Sequence, residues 1–211
     1  MDKNLNNLLK WGIENSTGEP QAGPPNEASN LTPDVIASLF GGPSEAELMK
    51  ASMEIISTTD SDVSLDDKLI AFDNFEQLIE SLDNANNLAN LSLWTPLLNC
   101  LNHEEKEIRR MAAWCVGTAV QNNVSSQERL LAMGGIPLLV ETATKDSEHQ
   151  DVRRKAIYAL SSACRNYQPA MDMCTEELSK KGKAHGTVDA QDMDAVDGVM
   201  GPLKAAALKS E

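Results

Sequence analysis

Apolar residues recur along most of this chain at spacings of three and four, the period of helices with one buried face. Leu5, Leu8, Leu9 and Ile13, with Trp11 beside them, outline a short amphipathic helix that is too short to be stable alone. Residues 15–31, with Gly18, Pro20, Gly23, Pro24 and Pro25 among polar side chains, bury too little apolar surface to offset ordering and read as a linker. Thr32 as N-cap, Pro33 in the first turn and Gly41-Gly42 as the stop predict a helix through Phe40. Ser44 and Glu47 then form an S-x-x-E start signal for a helix over 44–57, along which Leu48, Ser52, Ile55 and Ile56 follow the turn. The expected organisation is a flexible N-terminal segment over 1–31, a helical cap over 32–63, repeats over 64–178, and a loop with an incomplete repeat over 179–211.

The repeat is the strongest signal. The run from Ile108 to Asn122 aligns without gaps onto the run from Val152 to Asn166, a shift of 44 residues, and a fainter copy lies 42 residues upstream, where Leu69, Ala71 and Phe72 match Met111, Ala113 and Trp114. Trp94-Thr-Pro-Leu-Leu98 likewise matches Gly135-Ile-Pro-Leu-Leu139. A period of about 40 to 47 with helical patterning belongs to stacked armadillo or HEAT units, each of which buries its apolar faces against its neighbours. Gly134-Gly135 supplies the sharp turn between first and second helices, Pro137 sits in a first turn where its missing N–H costs nothing, and small Ala and Ser residues allow close stacking of third helices. The fold class is all-α, an armadillo-repeat right-handed solenoid with a flexible N-terminal segment.

After Leu178 the pattern fails. Ser179 to Gly186 is rich in Lys and Gly, Asp189 to Gly198 is acidic, and both predict a loose loop. Gly198-Val-Met-Gly-Pro-Leu203 echoes the Gly-Gly-Ile-Pro-Leu turn and predicts a last second helix beyond it, with no third helix to follow.

Composition narrows the function. Hydrophobic residues make up 41% and aromatic residues 4%, the mixture of helices and not of sheets. Thirty-two acidic residues against 18 basic ones give a formal charge of -14, which repels a polyanion and argues against nucleic acid as a partner. The dense basic runs, Arg109-Arg110, Arg153-Arg154-Lys155 and Lys180-Lys181-Gly182-Lys183, are short and flanked by carboxylates. Cys100, Cys115, Cys164 and Cys174 lack C-x-x-C spacing and read as reduced, buried thiols. No apolar stretch approaches the roughly 18 residues of a membrane span, so the expectation is a cytoplasmic protein with no membrane partner.

The motifs of phosphate loops, dinucleotide sites, nucleophile elbows and zinc proteases are absent. His103, His149 and His185 fall in expected loops without partners at ligand spacing, and acid pairs such as Glu104-Glu105 and Asp66-Asp67 sit where helices begin and suit the dipole. No catalytic, cofactor-binding or metal-binding residue is assigned, and no cofactor.

Several stretches closely resemble the cytosolic armadillo-type nucleotide-exchange factors of heat-shock protein 70, the family of the fungal Fes-type factors and the animal heat-shock-protein-70-binding proteins. They include Leu8-Leu-Lys-Trp-Gly-Ile-Glu-Asn-Ser16, Leu39-Phe-Gly-Gly-Pro43, Glu47-Leu-Met-Lys50, Ala71-Phe-Asp-Asn-Phe-Glu-Gln-Leu-Ile-Glu80, Leu82-Asp-Asn-Ala-Asn-Asn-Leu88, Leu93-Trp94 and Gly117-Thr-Ala-Val-Gln-Asn-Asn123. Leu82–Leu88 and Gly117–Asn123 are too polar for generic repeat residues. The resemblance implies a co-chaperone, a monomer and not an enzyme, that grips one lobe of the chaperone's ATPase domain, opens the nucleotide cleft and so promotes release of ADP and then of substrate. It also points to partner-binding residues: Asp83, Asn84, Ala85, Asn86 and Asn87, read as a polar loop after the helix that ends near Leu82, together with Asn122 and Asn123. Leu8, Leu9 and Trp11 would form a tethered substrate-release segment, the other reading being an amphipathic helix of Leu5, Leu8, Leu9 and Ile13 folded back on the array. The alternative is an armadillo adaptor that holds cargo or an extended basic peptide, which the acidic charge would suit. That class carries Trp and Asn at W-x-x-x-N on successive third helices, and here Trp114 is paired with Thr118 and Tyr158 with Ser162, so the amide clamp is missing.

Overall fold

In a computed structural model of the protein, residues 42–183 and 186–208 are described. The expected helices over 1–14 and 32–40, the linker between them, Leu8, Leu9, Trp11 and His185 lie outside the described residues. What is described is helical throughout, with no strand among these residues.

Two helices come first, α1 (Glu45–Ser57) and α2 (Leu65–Ile79). Ser64 caps α2: its hydroxyl accepts the Asp67 N–H at 3.1 Å while the Asp67 carboxylate takes the Ser64 N–H, so two of the helix's four open donors are met. Then follow two complete three-helix units. The first is α3 (Leu82–Asn87), α4 (Trp94–Asn99, continued by a 3-10 turn over Cys100–Asn102) and α5 (Lys106–Val120). The second is α6 (Val124–Ala132), α7 (Gly135–Thr144) and α8 (Gln150–Cys164). The chain closes on α9 (Gln168–Lys180) and α10 (Met193–Ala207). This is the all-α, armadillo-like arrangement that the 42- and 44-residue shifts describe.

The repeat is visible in its corners. Gly134 ends the first helix of the second unit at φ +71°, a left-handed conformation costly for any residue with a Cβ. A Cβ on Gly135 would lie 2.1 Å from Leu130 Cδ1, so this position needs glycine for space. Asn122 and Asn166, equivalent in the two units, both take positive φ (52° and 58°) just after α5 and α8, where a short amide side chain tolerates the left-handed region.

One continuous core runs through the array. Phe72, Phe75, Leu97, Ile108, Leu130, Ile136 and Leu139 are among its fully buried side chains, and the third helices α2, α5 and α8 pack in series. All four cysteines are buried and free. Burial pushes the Cys100 thiol up to about 11 and the Cys115 thiol well above its ordinary value. Between the units, Arg109 on α5 forms a two-pronged pair with the buried Glu148 (2.7 and 2.8 Å) and donates to the carbonyls of His103 and Glu104 at 2.6 Å. At the position of Arg109 in the next unit stands Arg153, 2% exposed, whose Nε donates to the Ala143 carbonyl at 3.2 Å.

The C-terminal part corrects the sequence expectation. Residues 193–198, expected in a loose loop, are helical, and the Gly198–Leu203 motif is not a turn: it lies inside α10, with Pro202 in the helix interior. Asp192 caps this helix by accepting the N–H groups of Asp194 and Ala195. The preceding segment is held as well. The Gln168 side chain donates to the Val188 carbonyl at 2.8 Å and accepts the Ala190 N–H at 2.9 Å, and Ala190 is 1% exposed. Helix α10 packs on both α8 and α7 and is fastened to the end of α8 by Arg165, which reaches Asp197 at 2.5 Å and Met193 Sδ at 3.0 Å.

Candidate functional site

The third helices put equivalent residues side by side, so one face of α2, α5 and α8, part exposed and part buried, reads as four rows. At the N-terminal end stand Lys68, Arg110 and Arg154; next come Phe72, Trp114 and Tyr158; then Glu76, Thr118 and Ser162; and last Glu80, Asn122 and Asn166. The register is confirmed by contact. Thr118 donates its hydroxyl to Glu76 Oε1 at 2.7 Å between residues 42 apart, and a Cβ on Gly117 would lie 2.4 Å from the Tyr158 ring and 3.2 Å from Ala159 Cα. Gly117 is therefore what lets α8 lie so close to α5.

Between these helices runs a groove lined by Glu76, Glu80, Trp114, Thr118, Gln121, Asn122 and Tyr158. Tyr158 spans it, donating its phenol to Gln121 Oε1 at 3.1 Å. Lys155 reaches back from α8 so that its ammonium sits 3.6 Å over the Trp114 ring and 5.7 Å from that of Tyr158. A second groove continues toward α10, lined by Arg154, Tyr158, Ser161, Lys204 and Leu208. The positions that would clamp a peptide backbone with amides hold Thr118, engaged by Glu76, and Ser162, which is buried and gives its carbonyl to Gln127 Nε2. What this face offers is shape and charge: carboxylates on the α2 side and cations on the α8 side.

The expected partner-binding residues divide. Asp83–Asn87 form helix α3, not the loop expected, because Ser81 starts the turn and Ala85 can pack its small side chain inward. Asn84 and Ala85 are buried. The Asn84 amide donates to Glu45 Oε2 at 2.8 Å and to the Leu78 carbonyl at 2.9 Å, tying α3 to α1 and α2. The Ala85 carbonyl lies 3.5 Å from the Ser126 hydroxyl. Asn123 is also buried, as the N-cap of α6, its side chain accepting the Ser126 N–H and donating to Ser126 Oγ. These three are corrected from surface to structural positions: their polar composition answers caps and helix junctions. Asp83 and Asn86 are exposed, Asn87 is half-buried and Asn122 is exposed in the groove. The two predicted stretches do meet, through Ser126, and Asn86 opens with Ser126, Glu128 and Arg129 onto a pocket along the first helices.

The basic row was missed. In the sequence each cation stands beside acids of its own helix, and only the alignment of one third helix on the next places Arg110 beside Arg154 and Lys155. Among the described residues no group of three or more His, Cys, Asp or Glu side chains is gathered to hold a metal, and no helix is long and apolar enough to cross a membrane.

Two family models cover most of the chain: Nucleotide exchange factor Fes1 over residues 5–88 and the SIL1/FES1/HPBP1 C-terminal domain over residues 84–177. The chain is 64% identical over 207 residues to a Gibberella zeae protein named Hsp70 nucleotide exchange factor FES1, covering 96% of each. It is 53% identical over 240 residues to the Neurospora crassa protein of that name, covering 97% of this chain and 98% of the relative. To the Saccharomyces cerevisiae protein it is 45% identical over 168 residues, 78% of this chain and 57% of the longer relative.

Proposed function

The chain belongs to the Fes1 family of Hsp70 nucleotide exchange factors, and from that premise we propose that it binds the ATPase domain of an Hsp70 chaperone with the edges of its stacked helices and releases ADP by favouring the open cleft. The observation that carries this reading is identity along nearly the whole length of relatives that bear the name, 96% of both chains in one case. Exchange is binding and needs no bond-making. A body that binds the open, empty ATPase domain more tightly than the closed ADP form weakens ADP binding by the same factor, about 5 to 150-fold for couplings of this kind. A stack of helices with one continuous core suits the task, because it holds its shape against one lobe and does not follow the closed pair.

The protein acts as a monomer in the cytoplasm, with no catalytic, nucleic-acid or membrane role of its own. Asp83, Asn86, Asn87 and Asn122 are its exposed or half-exposed candidates for contact. Leu8, Leu9 and Trp11 compete for the chaperone's substrate groove once the helical body has docked, since a tether of about 20 residues raises the local concentration of a weak binder toward millimolar.

Stopped-flow release of fluorescent ADP from a purified Hsp70 tests the reading. Release accelerates with added protein and saturates, whereas unchanged release at saturating protein overturns it. Deletion of residues 1–31 leaves ADP release intact and slows release of bound peptide.

A further inference from the structure

On the third-helix face Arg110, Arg154 and Lys155 lie together, and Lys204 of α10 lines the same groove as Arg154. Arg109 is paired with Glu148, Arg165 with Asp197, Lys180 with Glu176 and Glu177, and Lys181 with Glu141. Arg110, Lys155 and Lys204, by contrast, have no carboxylate oxygen within 4.0 Å among the described residues, and Arg154 reaches only Asp151, at 3.9 Å. Lys50, Lys68, Arg129, Lys145 and Lys183 also stand without such a pair among the described residues, so what marks this face is that its cations lie side by side. Partial burial, and then the charge of Arg110, hold the Lys155 ammonium below the usual lysine range, while Glu76 across the groove pulls the other way and Arg154 adds a smaller push down. Like charges held together and partly out of water are relieved by an anion arriving from outside. Beside them lie Tyr158 and Leu208, the latter 61% exposed.

We propose that Arg110, Arg154, Lys155 and Lys204 form a docking surface for an acidic segment of the chaperone's ATPase domain, carboxylates meeting the cations and an apolar side chain resting on Tyr158 and Leu208. This rests on the exchange-factor reading and adds the chemistry of the contact. A polypeptide is favoured over a nucleic acid because a net charge of -14 repels a long polyanion, while a short acidic stretch meets only the local field.

The test compares wild type, Arg110→Ala/Arg154→Ala and Arg110→Lys/Arg154→Lys for affinity to purified ATPase domain, from about 50 to about 300 mM salt, with ADP release measured in parallel. The alanine pair binds about tenfold or more weakly at low salt and loses less affinity as salt rises. The lysine pair recovers part of the loss. Urea midpoints of all three match, because neither arginine has a buried partner to strand. If the wild type accelerates ADP release and the alanine pair binds equally well with the same salt dependence, the docking surface is wrong and the exchange reading stands. If the wild type accelerates nothing, the exchange reading itself fails and takes the surface with it. A change in the sedimentation of the protein alone, without loss of ATPase-domain affinity, would assign the face to a second copy and overturn the proposal.

Discussion

Thr118 and Glu76 meet at 2.7 Å across the seam between α5 and α2, at the rung where a peptide-holding armadillo array would present an amide to its ligand. Glu76 is only 6% exposed, and among the described residues Thr118 is its one side-chain donor. Thr118→Val keeps the shape and removes that donor, leaving a buried carboxylate short of a partner, at a cost of about 1 to 3 kcal/mol. Adding Glu76→Gln to that variant restores most of the urea midpoint, since an amide is cheaper to bury unpaired than a carboxylate. Equal midpoints for wild type and Thr118→Val would mean that water, not Thr118, satisfies Glu76.

Gly117 sets how close the third helices come. Its absent Cβ would lie 2.4 Å from Tyr158 Cε1 and 3.2 Å from the Ala159 backbone, so both a ring and a helix would have to yield. Gly117→Ala therefore destabilises by about 1 to 3 kcal/mol despite alanine's better helix propensity. It also moves Tyr158, which breaks the phenol's bond to Gln121 and shifts tyrosine fluorescence. A variant more stable than wild type would show the seam to be looser than drawn.

Acid should loosen the array at two places. Burial alone would raise the Glu148 carboxyl, but the Arg109 guanidinium and the His149 N–H outweigh it and hold the group below its ordinary value of 4.5. The Asp67 carboxyl is held below 3.8 by the Ser64 hydroxyl and N–H. Both are depressed in the folded state, so the stability they give is whole above the unfolded values and is lost as pH falls through the folded ones. The urea midpoint should thus be flat near neutrality and fall below about pH 4.5. Glu148→Gln lowers it at neutral pH and flattens the acid limb, and a limb just as steep in that variant would place the titrating group elsewhere.

The polar stretch on α3 separates packing from contact. Ala85 is 3% exposed, so Ala85→Arg must displace neighbours and destabilises by several kcal/mol, on the order of other overpacked cores. Any loss of binding in it reports on the fold. Asp83→Ala/Asn86→Ala, on the exposed side, keeps the wild-type urea midpoint and weakens ATPase-domain binding if this side of α3 is a contact. Wild-type affinity in that pair would assign the whole of 83–87 to structure.

What was legible in the sequence was what repetition enforces. The shifts of 44 and 42 residues located third helices α5, α8 and α2, because a solenoid must present the same apolar face at each step, and the Gly134-Gly135 corner followed from steric need. The site was less legible. Asn84 and Asn123 look like surface residues by type, but their amides are spent on Glu45, Leu78 and Ser126, and nothing local distinguishes a buried amide from an exposed one. The basic row becomes visible only when one third helix is laid on the next.

The largest misreading was the Gly198–Leu203 motif, where Gly and Pro at turn spacing belong to a helix whose buried face is Val196, Val199, Met200, Leu203 and Ala207. Local punctuation argued for a turn, and the apolar period of three and four prevailed. A substitution distinguishes the two directly. In a turn, Gly198 and Gly201 would resist a side chain. Here neither has positive φ, and an added Cβ at either meets nothing within 4 Å. Alanine then gains helix propensity without a clash, about 0.5 to 1 kcal/mol for each. Gly201→Ala is the cleaner case, because Gly198 provides the carbonyl that the Pro202 ring lies against, where extra bulk could add strain. We expect Gly201→Ala to raise the urea midpoint and the far-ultraviolet helix signal slightly. A lowered midpoint would return residues 198–203 to a turn and leave α10 without its C-terminal half.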